Sequence, residues 1–264
     1  MIYSSFSIQV ILFIFGACVG SFLNVCIFRL PLKKSILFPA SHCPGCKKNI
    51  PFYCNLPIVS YVALMGKCKF CGSKISLRYP IVEFVTAGLT LLLYQRFNLT
   101  LPLIFWFVFV SVLIVISFID WDHQIIPDII SLPGIIIFAS SVFVIPGMTW
   151  QAVLLGVLCG GGLLYAIALA YYAVRHQNGM GGGDIKLMAM IGAAIGAKGV
   201  LFTIFAGSLL GTMGGLAILI SNKKEQTQPK IPFGPFLSTG AVIYILWGEQ
   251  IIHWYFAFLY SGQN

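Results

Sequence analysis

Charge is what this sequence has least of. Of its 264 residues 9% are charged and 59% are hydrophobic, against roughly a quarter charged and half apolar in an ordinary soluble domain. With a mean hydropathy of +0.94, a soluble globular chain is excluded. The scarcest sign is negative: seven Asp and Glu stand against sixteen Lys and Arg. Also missing are a strand-linked glycine fingerprint for a dinucleotide-type ligand, a polar stretch long enough for a second soluble domain, and an internal repeat. Residues 6–28 run into "GSFLNVCIFRL" without a small-residue cleavage site, so they read as a retained helix rather than a signal peptide. What is present instead is a series of apolar runs, several approaching the roughly 20 residues that cross about 30 Å of hydrocarbon.

The few charges are unevenly placed. Arg29, Lys33, Lys34, Lys47, Lys48, Lys67, Lys69, Lys74 and Arg78 are nine of the sixteen basic residues, and no acid lies among them. The positive-inside rule puts this stretch in the cytoplasm, where it also suits anionic lipid headgroups. It has neither a recognition-helix pattern nor interleaved aromatics, so nucleic acid is not an expected partner. Spans are expected at about 6–28, 80–97, 101–119, 129–145, 151–174, 185–197, 200–220 and 237–258, with both termini outside. This layout places fourteen basic residues at inner loops and edges against Arg96 and Lys198 outside. The expected fold is thus an all-α polytopic membrane protein of about eight transmembrane helices. Its parts are a first helix, 1–28, a cytoplasmic zinc-binding loop domain, 29–79, and a membrane domain, 80–264.

Two constellations can carry chemistry. "CPGC" at 43–46 and "CKFC" at 68–71 each offer two thiolates from a tight turn, together the ligand set of a closed, structural tetrahedral zinc site. A reducing cytoplasm argues against disulfides there. Cys18, Cys26, Cys54 and Cys159 have no spacing partner and are expected to fill core positions.

The second constellation comes from the acids. All four aspartates, Asp120, Asp122, Asp128 and Asp184, fall at helix ends expected on the cytoplasmic side, where an ionisable group reads as functional. Asp128, after Pro127, is placed to cap a helix, and Asp122 to sit solvated in a turn. Asp120 continues the apolar period of its helix, and two intervening spans return Asp184 to the same depth. If the two carboxylates meet in a dehydrated site, they share one proton, the state an aspartic protease uses. A proton-coupled transporter also uses paired carboxylates, so the residues alone leave both readings open. The glycine run at 179–183 precedes a helix, and its missing side chains leave room for a substrate backbone beside Asp184. Lys186 either holds charge near the pair or snorkels to the interface.

Taken together, "GSFLNVCIFRLP", the two cysteine pairs, "ISLRYPIVE", "FIDWDHQIIPD" and "GGGDIKL" resemble, in order and over nearly the whole chain, the type IV prepilin peptidases. These are bifunctional inner-membrane enzymes of the GxGD aspartic protease group. The resemblance implies that Asp120 and Asp184 are the catalytic pair, supported by Gly181, Gly182, Gly183, Asp128 and Lys186. It implies Cys43, Cys46, Cys68 and Cys71 as zinc ligands. It implies cleavage after a glycine that ends a short basic leader of prepilins and pilin-like secretion proteins, then N-methylation with S-adenosylmethionine. Glu83, in "YPIVE", is a candidate for the methyl-transfer step, with an interhelical polar contact as its alternative. A peptidase-only relative would lack the cysteine loop. Oligomeric state is not legible.

Overall fold

The computed structural model describes residues 2–176, 181–221 and 231–261. Among them there is no β-strand, and helices carry almost all regular structure. In chain order these are α1 (Ile2–Arg29), α2 (Val59–Ala63), α3 (Arg78–Phe97), α4 (Leu101–His123), α5 (Asp128–Phe138), α6 (Ser141–Val144), α7 (Trp150–Val157), α8 (Leu163–Arg175), α9 (Gly182–Ser221) and α10 (Gly234–Ser261). A π-helical turn, Leu158–Gly162, joins α7 to α8 without a break.

Every apolar segment expected from the sequence is largely helical, but the one expected at 129–145 is split into α5 and α6 by a turn at Ala139 and Ser140. Five helical stretches are long and apolar enough to cross a membrane: Phe6–Arg29, Leu101–His123, Trp150–Arg175, Gly182–Ala217 and Gly234–Leu259. The other expected spans fall short by that measure. Helix α3 carries Arg78, Glu83 and Arg96, and α5 has 11 residues with Pro133 inside. The expected helices 185–197 and 200–220 form one element, α9, whose only non-helical residue is Gly196 (φ 70, ψ 178).

The chain divides into two compact units, residues 1–115 and 116–264. In the first, α1 lies against α3 through a glycine pair one turn apart. A Cβ on Gly16 would stand 2.8 Å from the Cα of Ala87, and one on Gly20 2.7 Å from the Cα of Glu83. Removing side chains lets helix backbones approach where no hydrophobic drive joins helices in lipid. The hydroxyls at this seam bond back within α3, Thr86 to the Val82 carbonyl and Thr90 to the Thr86 carbonyl, both at 2.7 Å. At the foot of α1 the buried Arg29 donates to the carbonyls of Ser35 (3.0 Å) and Pro39 (2.6 Å), which holds the start of the basic loop against the helix.

In the second unit α9 is the centre, and its two halves have different neighbours. The first half packs on α5, α7 and the π turn: Gly192 lies against Gly156, the Met188 carbonyl against Gly160, and Met190 against Gly134. The Ser141 hydroxyl donates to the Ala193 carbonyl at 3.0 Å. The second half packs on α10, with Gly207 against Leu237 and Gly240 against Thr203.

Gly183, near the start of α9, faces Ile126, which in turn lies 3.4 Å from where Gly234 would carry a Cβ. Gly211, far along α9, faces Phe233 and Phe236. In a straight helix at 1.5 Å per residue, positions 183 and 211 would stand about 42 Å apart. Both instead meet the start of α10, so α9 doubles back at Gly196. A left-handed φ there is one that glycine alone adopts without strain.

Gly20→Val should force α1 away from α3, since its branched side chain meets backbone rather than a flexible side chain. A destabilisation of about 1–3 kcal/mol is expected, read as a lowered melting temperature of the detergent-purified protein. An unchanged melting temperature would contradict the packing described.

Candidate active site

Helix α4 does not stop at residue 119 but continues to His123, and Gln124 (φ 54) ends it. Asp120 therefore lies on the last helical turn rather than in a loop, and at 5% exposure it is buried. A carboxylate is costly to bury without a hydrogen-bond donor. It has one: the Gly234 amide donates to Asp120 Oδ2 at 3.0 Å. Gly234 is the first residue of α10, where unpaired N–H groups and the helix dipole favour a negative partner. A Cβ on Gly234 would stand 2.6 Å from that same oxygen.

Asp184 lies in the first turn of α9, and its amide donates to the Gly181 carbonyl at 3.1 Å. Gly183, directly before Asp184, lies against Ile126, which also lies against Gly234, the residue bonded to Asp120, so the two aspartates come to one cluster of helix ends. The glycine run differs from its sequence reading in one respect. Gly182 and Gly183 are inside α9, not ahead of it. Gly183 is small because Ile126 Cβ would stand 2.9 Å from its Cβ; that position serves packing. Among the described residues nothing lies within 4 Å of a Cβ on Gly182, and a Cβ on Gly181 would be 3.7 Å from Asp184 Oδ2. Residues 179 and 180 lie outside the described residues.

Asp128 does not act as a side-chain cap. Pro127 takes the N-cap position, and Asp128 is the first residue of α5. Its Oδ1 instead accepts from Lys186 Nζ at 2.7 Å, with both side chains partly exposed. The pair joins the first turn of α5 to the first turn of α9, and it gives Lys186 a partner that sequence alone left undecided. Asp122 is exposed, but on a helix rather than in a turn.

Three helix N-termini, those of α5, α9 and α10, thus gather around the C-terminal turn of α4. Ile126 fills the gap between Gly183 and Gly234. Neither Ile126 nor Gly234 was singled out from the sequence. The signal available for Gly234 was "PFGPF": Pro235, at the second position of α10, is where a helix tolerates proline in its first turn.

In the amino-terminal unit the four cysteines come together as the spacing anticipates. The sulfurs of Cys43, Cys46, Cys68 and Cys71 all lie within 4.8 Å of one another. Each pair forms the same knuckle. The Lys47 amide donates to the Cys43 carbonyl and the Gly72 amide to the Cys68 carbonyl; Cys43 N–H bonds the Lys48 carbonyl and Cys68 N–H the Ser73 carbonyl. Lys47 and Gly72, each directly after a second cysteine, are both left-handed (φ 57 and 70). Lys48 over Phe70 and Lys69 over Tyr53 add cation–π contacts around the cluster.

The Cys43 and Cys71 sulfurs are 3.8 Å apart. This is too far for a disulfide but matches the edge of a tetrahedron with metal–sulfur bonds of about 2.3 Å, which is about 3.8 Å. The Cys46 amide and the Ser73 hydroxyl hold the Cys43 thiol down to about 6. The Lys48 amide favours the Cys46 thiolate, but desolvation and the neighbouring sulfurs outweigh it and push that thiol up to about 11. Four thiols so placed hold their negative charge together only around a cation. Of the other cysteines only Cys26 is in the core; Cys18 is exposed, and Cys54 and Cys159 are half-buried.

Glu83 is buried on α3. Its Oε2 accepts from the Ile58 amide at 2.7 Å, and the Ser21 side chain also bonds it. Ile58, the N-cap of α2, has φ 61, an outlying conformation for a β-branched residue. The carboxylate from α3 thus secures a strained turn of the basic loop.

Comparison with known proteins matches both units. A family model described as "Bacterial Peptidase A24 N-terminal domain" matches residues 14–97, and one described as "Type IV leader peptidase family" matches residues 107–216. A prepilin leader peptidase/N-methyltransferase of Bacillus subtilis is 38% identical over 245 residues, 93% of this chain and 96% of its own. Proteins of the same description from Pseudomonas aeruginosa and Legionella pneumophila are 34% and 33% identical. They span 92% and 93% of this chain and 91% and 93% of their own. No solved structure matches the chain.

Proposed function

The chain belongs to the type IV leader peptidase family, and from that premise we propose that Asp120 and Asp184 are the acids with which it cuts. It is a membrane enzyme that processes prepilins, removing the leader and methylating the product. The observation that carries the assignment is the convergence of these two aspartates, from the end of α4 and the start of α9, at one cluster of helix ends.

Two carboxylates in a dehydrated site hold one proton between them. One takes a proton from water as the water oxygen attacks the scissile carbonyl carbon, and the other gives its proton to the carbonyl oxygen. The C–N bond of the tetrahedral intermediate then breaks. The amine leaves with the proton held by the first carboxyl, one hydroxyl of the intermediate returns its proton to the second, and the pair is singly protonated again. Gly182, with open space beside it, leaves room for an extended substrate backbone. The Lys186–Asp128 pair supports the site by fixing the start of α5 against the start of α9.

In this reading the chain crosses the bacterial cytoplasmic membrane eight times. The reversal of α9 at Gly196 supplies two of the crossings, and α3 and α5 supply the shorter, more polar ones. The basic loop and the aspartates face the cytoplasm and both termini face outward. A basic leader then stays at the cytoplasmic face while the apolar pilin helix lies in the bilayer, and cleavage follows the glycine that ends the leader. Residues 29–79 serve methyl transfer from S-adenosylmethionine, with Glu83 holding their α2 turn in place, and residues 80–264 serve cleavage. The four cysteines hold a structural zinc ion, whose charge balances the thiolates and closes a loop with little core of its own.

Asp120→Asn and Asp184→Asn should each abolish leader removal, scored as unprocessed prepilin on gels, while the proteins still insert and purify. Full processing by either variant would refute the dyad. For the loop, the purified protein should contain one zinc per chain and Cys43→Ser with Cys68→Ser none; metal retained by the double variant would refute the four-cysteine site.

A further inference from the structure

We propose that Gly234 is the positioning residue of the dyad, acting through both its amide and its missing side chain. The proposal rests on the aspartyl reading above and goes beyond it, because residue 234 lies outside the stretch, 107–216, that the peptidase family model matches. Two observations meet at this residue. Its N–H donates to Asp120 Oδ2 at 3.0 Å. A Cβ there would stand 2.6 Å from that oxygen, closer than real contacts allow, and 3.2 Å from the carboxyl carbon.

The requirement is one of space and not of backbone conformation. Gly234 is the first residue of a long helix, and its φ lies outside the left-handed range. An alanine would keep the helix and the N–H, but its methyl group would occupy the place where the carboxylate now touches the backbone. Asp120 would have to rotate or α10 to retreat. The neighbourhood offers little relief, because Ile126 Cδ1 would stand 3.4 Å from the same methyl group while its other side abuts Gly183. One oxygen of Asp120 is thus fixed on the start of α10, which sets the orientation of the whole carboxyl group. Reacting groups displaced by about 1 Å commonly lose on the order of 100-fold in rate.

The test compares three variants of the full-length purified enzyme, Gly234→Ala, Gly207→Ala and Asp120→Asn. Each is assayed for kcat and KM of prepilin cleavage and, separately, for methyl transfer to an already cleaved pilin peptide. Gly234→Ala is expected to lower kcat by about 100-fold with KM little changed and to leave methyl transfer at the parent level. Gly207→Ala, whose methyl group meets Leu237 Cδ2 at 3.1 Å between α9 and α10, should cleave like the parent. A parental kcat in Gly234→Ala would overturn the proposal. So would an equal loss of cleavage and methyl transfer in that variant, or an equal loss of cleavage in Gly207→Ala, since either makes Gly234 a packing residue only. Cleavage by Asp120→Asn would instead overturn the aspartyl reading itself.

Discussion

The hydrogen bond from the Gly234 amide to the buried Asp120 carboxylate ties the last turn of α4 to the first turn of α10, and the carboxy-terminal unit is organised around it. A carboxylate among apolar side chains is tolerable only where donors meet it. Here the donor is a helix N-terminus, whose free amide would itself go unpaired in an apolar medium. Each group answers the other's need. The same economy recurs nearby, where Asp128 and Asp184 occupy the first turns of α5 and α9 and Lys186 bridges α9 to Asp128. Acids at helix starts are electrostatically favoured, so a chain with four aspartates can gather three of them without building a net of opposing charges.

The amino-terminal unit solves a different problem. Its basic loop has few apolar residues to bury, and its order comes from two matching cysteine knuckles and from Glu83, which secures the strained Ile58 turn. The two chemistries of the family therefore depend on unlike forces. In the proposed function, cleavage uses carboxylates fixed by helix ends, and the loop assigned to methyl transfer uses coordination-ready thiols and a carboxylate latch.

Much of this was legible in the sequence because it rests on local pattern. Apolar runs marked the long helices, and Cys-x-x-Cys spacing marked a cluster that the fold does assemble. Helix counting led to the expectation that Asp184 returns to the depth of Asp120, and their neighbours Gly183 and Gly234 do meet at Ile126. What was not legible depends on contacts distant in sequence. Nothing at Asp128 shows that Lys186 will reach it, so a cap was the natural expectation. The glycines of "GGGD" looked alike, yet Gly183 is small to admit Ile126 while Gly182 borders open space. Gly234 sat in what read as a polar loop, because its partner lies 114 positions away. The ends of α4 and α9 were also misjudged by a turn. Helical hydrogen bonding continued through polar residues at Asp122 and His123, and through Gly182, where apolar periodicity had already ceased.

Central to the proposed function is one aspartate pair, Asp120 and Asp184, that cuts a prepilin leader in an enzyme that then methylates what it exposes. Mass spectrometry of a prepilin incubated with the purified enzyme and S-adenosylmethionine tests both halves at once. The account predicts a single cut after the glycine that ends the leader and one added methyl group on the new amino terminus. An uncut substrate, or a cut elsewhere in the chain, would contradict it.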